Sequence, residues 1–227
     1  GYGGAPMPEA TIARLAKEMP GLQLINAYGA TETTSPSTLL PGPYAATHSD
    51  SVGFACPGAR IIAMDDNGHE CPPGEIGEIW IHGGSVVKGY WGNPAATAEN
   101  FVAGFWRSGD LGSVDAQGFV RVFDRKKDMI NRGGLKIYSA EVESVLAGHP
   151  DVMECAIVAR ACPVLGERVH AFVTPRRDGV DVEALRAWCL ERLSDYKTPE
   201  TITLTPEPLP RNANGKVMKR DLRQRLA

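Results

Sequence analysis

Four short stretches of the sequence carry side chains suited to chemistry. In the first, Asn26-Ala27-Tyr28-Gly29-Ala30-Thr31-Glu32-Thr33, an aromatic, a hydroxyl and a carboxylate fall within five positions, around a glycine that permits a turn a side chain would block. Tyr28 could stack on a purine, Thr31 could bond a phosphate, and Glu32 could hold Mg2+, which takes hard oxygen ligands. An ordinary strand–turn–helix junction has the same pattern. The second stretch, Trp106-Arg107-Ser108-Gly109-Asp110-Leu111, offers one carboxylate on a glycine turn. An ionised aspartate only accepts hydrogen bonds and can take both hydroxyls of a ribose; it can equally cap a turn. The third is the charged link Asp124-Arg125-Lys126-Lys127-Asp128, followed by Arg132-Gly133-Gly134-Leu135-Lys136; alone, it reads as a solvated linker. In the fourth, Pro210-Arg211-Asn212-Ala213-Asn214-Gly215-Lys216, a lysine sits on a loop that looks mobile. This is not a Walker loop, because Pro210 stands where glycine is needed and Val217 where Ser or Thr would ligate magnesium.

The elements that must position these groups follow from periodicity and turn residues. Ile12, Leu15, Ala16 and Met19 share one face of a helix over residues 8–19, which Pro20-Gly21 stops; residues 22–27 form a short strand leading into the Tyr28-Gly29 turn. Residues 35–51, rich in Pro, Ser, Thr and Gly, read as a loop. Strands are expected at 59–64, 75–81 and 119–123, separated by Asp66-Asn67-Gly68, Pro72-Pro73-Gly74 and Gln117-Gly118. Beyond Asp124 the pattern changes. Ser139 is placed to cap a helix that turns Val142, Val145 and Leu146 inward and ends at Gly148 and Pro150. Strands are expected at 155–159 and 169–173, and Asp181 caps a helix with Val182, Leu185, Cys189 and Leu193 on its apolar face. A loop over 206–215 precedes a basic terminal helix. The expected organisation is two domains, 1–126 and 127–227, the second a small α+β unit.

Composition narrows the function. Of the 227 residues 43% are hydrophobic and 22% charged, enough for a packed core, and the net charge of −3 gives no basic field for nucleic acid. Five scattered cysteines without a Cys-x-x-Cys pair fit reduced thiols, and the five histidines show no metal-ligand spacing. No apolar run approaches a membrane span and no signal peptide is visible, so a cytoplasmic protein is expected.

In this order the motifs closely resemble the adenylate-forming (AMP-binding) superfamily, and within it the acyl-CoA synthetase or fatty-acid–CoA ligase type. The resemblance covers essentially the whole chain: Gly3-Gly4-Ala5-Pro6, the Tyr28–Glu32 segment, Gly74-Glu75-Ile76-Gly77-Glu78, Gly89-Tyr90-Trp91, Ser108–Leu111, Asp124-Arg125 and the 210–216 loop. It implies a fold in which residues 1–126 end a large α/β adenylate-forming domain, including a β-barrel-like part, and 127–227 form a small mobile α+β domain. It also implies a reaction: ATP-dependent activation of a carboxylic acid to an acyl adenylate, then transfer to coenzyme A. Alternatives are delivery to a carrier protein, as by adenylation domains and acyl-AMP ligases, or a fragment that binds nucleotide without catalysis. By matching positions, Gly4, Ala5 and Pro6 line the adenine pocket, and Tyr28, beside Gly29, stacks on the base. Thr31 touches phosphate and Glu32 holds magnesium. Asp110 and Arg125 fix the ribose, and Lys136 acts on phosphate. Gly133 and Gly134 flank the pantetheine path, Lys127 is the hinge where many relatives carry aspartate, and Lys216 is the lysine that bridges carboxylate and α-phosphate. The implied small molecules are ATP, Mg2+, coenzyme A and the acid. The family's upstream phosphate loop has no counterpart here, so the chain is expected to be a C-terminal half whose partner is the N-terminal half of the same enzyme, and inactive alone.

Overall fold

The computed structural model describes residues 1–4, 7, 9–213 and 215–226. The chain divides into two compact units, Gly1–Lys126 and Lys127–Ala227. It is a mixed α/β protein.

The first unit holds two sheets. β1 (Tyr2–Gly3), α1 (Glu9–Glu18), β2 (Asn26–Tyr28), β3 (Thr38–Leu40) and β4 (Phe54–Ala55) come first, and the strands pair in the order β1-β2-β3-β4 with β1 parallel to β2. Next come β5 (Ala59–Met64), β6 (Gly77–Gly83), α2 (Pro94–Asn100), β7 (Phe101–Val102), β8 (Phe105–Val114) and β9 (Val120–Arg125). They form a curled antiparallel sheet, order β5-β6-β8-β7, with β9 also paired to β8, over Asp110–Val114. Alternation along β6 sends Ile79 and Ile81 into a core with Ile61, Trp106 and Val120, while Trp80 turns to the other face under the Arg107 guanidinium.

Four expectations for this unit need correction. Residues 35–51 are not all loop: Thr38-Leu39-Leu40 pairs with both β2 and β4, a strand too short to stand out in a Ser/Pro-rich stretch. Residues 107–111 are not a free turn but lie inside β8. Among the described side chains of α1, Ile12 is buried and Leu15 half-buried, whereas Ala16 and, just past the helix, Met19 (52%) are exposed, so the apolar face is covered only in part. The strand before Tyr28 is also shorter than expected, starting at Asn26.

The second unit is one sheet with helices on both faces. Its elements are β10 (Ile130–Arg132), β11 (Leu135–Ile137), α3 (Ser139–Ala147), β12 (Val152–Cys162), β13 (Gly166–Pro175), α4 (Val182–Leu190), β14 (Thr201–Leu204) and α5 (Lys219–Gln224). Strand order is β11-β10-β13-β12, with β14 parallel to β13. Alternation explains the layering. Ile157, Val169, Ala171 and Val173 pack with Val142, Leu146, Leu185 and Cys189 of α3 and α4, while Ala156, Val158 and Phe172 face Leu222 of α5. Asp181 caps α4 as expected, its carboxylate accepting from the Glu183 amide at 3.0 Å. Ser139 is not the cap of α3: it is already helical, and its hydroxyl accepts from the Lys219 ammonium at 2.7 Å. Gly148 ends α3 in right-handed geometry, φ −73°, so its role there is not the left-handed cap expected of glycine.

One buried group sets a pH dependence. His170 on β13 lies 2.6 Å from Thr201 Oγ1 and 3.1 Å from Thr203 Oγ1, both on β14. Burial first, then the Arg160 charge, push its pKa down to about 4 from an ordinary 6.5. The folded chain holds the ring neutral while the unfolded chain protonates it. His170 therefore contributes its full stability above pH 6.5, and that contribution is lost as pH falls from 6.5 towards 4. The loss is of order a few kcal/mol (roughly 1.4 per pKa unit). Urea midpoints at pH 7 and 4.5 should show a steeper fall for the native chain than for His170→Gln; parallel falls would assign the acid sensitivity elsewhere.

Candidate functional site

The ladder between β6 and β8 is interrupted at one place. Glu78 pairs with Leu111 and Trp80 with Arg107, so Ser108, Gly109 and Asp110 together face a single residue, Ile79. This is a bulge, and Gly109 at φ +70° supplies the left-handed step that bends the strand. Ser108 Oγ donates to the Ile79 carbonyl at 2.6 Å and accepts from the Asp110 amide at 3.0 Å; the Gly109 carbonyl accepts from the Lys126 amide at 2.8 Å. The bulge thereby re-aims Asp110, which is 8% exposed, towards β2.

Tyr28, the last residue of β2, donates its phenol to Asp110 Oδ2 at 2.6 Å, and Arg125 Nε on β9 lies 3.3 Å from Oδ1. Burial above all, and then the Asp110 charge and hydrogen bond, hold the phenol pKa well above its usual 10. The hydroxyl remains a donor at physiological pH. Gly29 follows, where a Cβ would stand 2.9 Å from the Ser37 amide nitrogen. The chain then enters a 3-10 turn, Thr31–Thr33, pinned by Thr33 Oγ1, which donates to the Ala30 carbonyl and accepts from Ser37 Oγ at 2.7 Å. Thr31 is exposed and Glu32 half-buried.

A cleft of about 330 Å³ opens beside this cluster, lined by Ala30, Glu32, Tyr90, Trp106, Gly109 and Arg125 among others. Two donors bordering it, Trp106 Nε1 and Arg107 Nε, are buried without a hydrogen-bond partner among the described residues. The cleft thus offers donors, the Arg107 and Arg125 guanidinium groups and the carboxylates of Glu32, Glu78 and Glu99 to a polar ligand. The structure brings Tyr28, Gly29, Thr31, Glu32, Asp110 and Arg125 to this end of the first unit. Gly4, at φ +74°, follows β1, whose Gly3 pairs with Ala27; Ala5 and Pro6 lie outside the described residues.

The remaining sequence candidates belong to the second unit. Lys127 is exposed, and its carbonyl accepts from Arg223, which also pairs with Asp128. Gly133 and Gly134, at φ +59° and +91°, make the β10–β11 turn, and Lys136 is exposed on β11 opposite Asn131. Lys216 does not sit on an open loop. Its amide donates to Asn212 Oδ1 at 3.0 Å and its carbonyl accepts from the Asn212 amide at 2.9 Å, closing a turn next to the Arg211–Val217 bridge. Lys216 is exposed, as are Arg211, Asn212, Ala213 and Gly215 around it.

Sequence reasoning missed Tyr90, Ser108 and Thr33. Gly89-Tyr90-Trp91 stood out as a motif, but nothing local tells that the Tyr90 phenol reaches Glu32, 58 residues away, at 2.9 Å.

Comparison with known proteins decides the family. The AMP-binding enzyme model matches residues 1–91 and the AMP-binding enzyme C-terminal domain model matches residues 141–216. The chain belongs to the AMP-binding enzyme family. It is 40% identical to a feruloyl-CoA synthase from an Amycolatopsis species over 99% of this chain and 45% of that protein. It is 36% identical to a long-chain-fatty-acid–CoA ligase of Escherichia coli over 97% of this chain and 39% of that protein. Its fold superposes on o-succinylbenzoate CoA synthetase of Bacillus subtilis in complex with the acyl-adenylate intermediate with TM-score 0.91, at 34% identity, covering 97% of this chain and 44% of that one. The same synthetase, solved with ATP and a magnesium ion, gives TM-score 0.90. The chain spans under half the length of these relatives. Of the AMP-binding candidates, Tyr28 and Glu32 fall in the first matched span and Lys216 ends the second, while Asp110, Arg125 and Lys127 lie between the two.

The cluster also makes a stability prediction. Tyr28→Phe takes a shielded hydrogen bond from a buried carboxylate and should cost about 1.5–3 kcal/mol, whereas Arg125→Ala removes an ion pair open to solvent and should cost under about 1 kcal/mol. Denaturant unfolding of both variants checks the order; an Arg125→Ala protein less stable than Tyr28→Phe would contradict it.

Proposed function

We propose that this chain is the C-terminal half of an acyl-CoA synthetase, which activates a carboxylic acid with ATP and passes the acyl group to coenzyme A. The observation that carries this reading is the Tyr28–Asp110–Arg125 cluster at the edge of a cleft that also presents Glu32, in a chain whose fold follows an enzyme solved with an acyl adenylate. In the first half-reaction a carboxylate oxygen attacks the α-phosphorus of ATP, a P–O bond forms, and the bond to pyrophosphate breaks. In the second, the coenzyme A thiolate attacks the acyl carbon and AMP leaves with the C–O bonding pair. The relatives' names span aromatic and long-chain acids, so the reading is to the class of carboxylic acids.

Each residue takes the role that the family resemblance implies for its position and that its own chemistry suits. The Tyr28 ring, held by its phenol, offers a face for the adenine, and the family resemblance assigns Gly4, Ala5 and Pro6 to the same pocket. Asp110 accepts from the ribose hydroxyls, and Arg125 keeps its carboxylate oriented. Thr31, exposed at the start of its turn, donates to phosphate. Glu32 fits a magnesium ion: Mg2+ commonly takes one or two carboxylates plus substrate phosphates and water, so the lack of a denser acid cluster among the described residues is no obstacle. Bound there, magnesium would neutralise phosphate charge. Lys136 adds a cation towards phosphate. Gly133 and Gly134 leave a surface free of side chains for the pantetheine arm. Lys127, the first residue of the second unit, is the pivot between the half-reactions.

Lys216 gives the sharpest test. Its backbone is fixed and its ammonium is a compact point charge, suited to the oxyanion that develops between carboxylate and phosphate. In the enzyme at its relatives' full length, Lys216→Ala should lower the ATP–pyrophosphate exchange rate about 10²–10³-fold. Thioester formation from a supplied acyl adenylate should stay near that of the unaltered enzyme. An exchange rate within a few-fold of the unaltered enzyme would remove Lys216 from the mechanism. The 227-residue chain by itself should show no exchange, and exchange by it would overturn the division of the site between two halves.

A further inference from the structure

The loop after β6 is tied to the Thr31–Thr33 turn at three points. The Val87 amide donates to the Glu32 carbonyl at 2.9 Å, Thr34 Oγ1 donates to the Ser85 carbonyl at 2.8 Å, and Tyr90 Oη donates to Glu32 Oε1 at 2.9 Å. Tyr90 is fixed in its turn. Its amide donates to Thr97 Oγ1 at 2.9 Å, Thr97 Oγ1 donates to the Asn93 carbonyl at 2.9 Å, and its ring meets Phe101 edge-on at 5.5 Å between centroids. Residue 89 must be glycine for this approach, because a Cβ there would stand 2.5 Å from Thr97 Cγ2. Thr97 sits on α2, whose first turn is set by Pro94 and by Asn93 accepting from the Ala96 amide at 3.0 Å.

A carboxylate on a glutamate side chain has three torsions to lose before it can present one oxygen to a cation. Here one oxygen, Oε1, is held by a phenol that is itself anchored by Thr97 and Phe101. The carboxylate is thereby restricted to orientations that turn Oε2 away from Tyr90. Tyr90 and Glu32 both line the 330 Å³ cleft.

We propose that Tyr90 is the positioning residue of the magnesium site: by holding Glu32 Oε1 it presents Oε2 to the cation, and α2 acts on the metal through Thr97 and Tyr90. This rests on the reading of Glu32 as a magnesium ligand. Losing the outer partner of a metal-ligating group typically costs roughly 10–100-fold in metal affinity. The ring of Tyr90 and its packing on Phe101 survive in Tyr90→Phe, so the fold should be kept.

The test is carried out on the enzyme at its relatives' full length, with Mn2+ as a spectroscopic probe in the presence of a non-hydrolysable ATP analogue. In Tyr90→Phe, paramagnetic-resonance titration should give at least about tenfold weaker Mn2+ binding. Metal-free binding of the analogue and the melting temperature should be unchanged, and exchange should be restored near the unaltered rate at saturating Mg2+. Mn2+ affinity within twofold of the unaltered enzyme in Tyr90→Phe overturns the proposal. Glu32→Gln, measured alongside, separates the two failures. If it loses Mn2+ while Tyr90→Phe keeps it, only the positioning role falls; if it binds Mn2+ as the unaltered enzyme does, the ligand reading falls and the proposal with it. Should Tyr90→Phe fail to fold, Thr97→Val must show a smaller loss in the same direction, and unaltered Mn2+ affinity there overturns the proposal.

Discussion

Asp110 holds a carboxylate, 8% exposed, between a phenol from one sheet and a guanidinium from the strand next to its own. Taking a charge out of water costs several kcal/mol unless it is paired and hydrogen-bonded, so the neighbours are obligatory rather than decorative. The two partners are unequal. The Arg125 side chain is 53% exposed, and an ion pair so open to solvent contributes little. The phenol at 2.6 Å is a charge-assisted bond shielded from water, and such bonds are about twice as strong as neutral ones. Because Tyr28 ends β2 and Asp110 lies in β8, this bond fixes one sheet of the first unit against the other. It also sets where the following 3-10 turn, and therefore Glu32, can lie.

The bulge in β8 makes the arrangement possible. A regular strand would point residue 110 according to strict alternation; inserting Ser108 and Gly109 shifts its direction, and the carbonyls and amides released from the ladder are taken up by Ser108 Oγ and the Lys126 amide. Lys126 is held further by Asp66 at 2.9 Å and Glu78 at 3.6 Å. The last residue of the first unit is therefore fastened to the same bulge that aims Asp110. On the other side of the division, the Lys127 carbonyl and Asp128 are fastened by Arg223 of α5.

Features that depend on local chemistry were legible in the sequence. The Asp181 cap, a strand through residues 77–81, and the inward face of α3 need only neighbours within a turn or a strand. Features set by distant partners were not. Gly109 reads as a turn because its positive φ is a local fact, while the ladder that absorbs it as a bulge involves Ile79, thirty positions earlier. The Tyr90–Glu32 bond joins residues 58 apart, and α1 shows a helical apolar face with no indication that Met19 stays exposed. The candidate site was recognisable through the order of its motifs, which named Tyr28, Asp110 and Arg125 without revealing that they touch. Ser139 shows the converse error. A serine before an apolar helical pattern looks like a cap, yet its hydroxyl is engaged by Lys219 from eighty residues away.

The central claim is that the Asp110 carboxylate, held by Tyr28, recognises the ribose of a bound nucleotide. The most direct measurement is a cycle between residue and ligand hydroxyl: binding of ATP, 2′-deoxy-ATP and 3′-deoxy-ATP to the full-length enzyme and to its Asp110→Asn variant. A charged hydrogen bond to a lost hydroxyl is worth about 1.5–3 kcal/mol, roughly 10–150-fold in affinity. The account predicts that the unaltered enzyme discriminates against at least one deoxynucleotide by tenfold or more, and that Asp110→Asn brings the three within a few-fold of one another. Discrimination that persists undiminished in Asp110→Asn would contradict it.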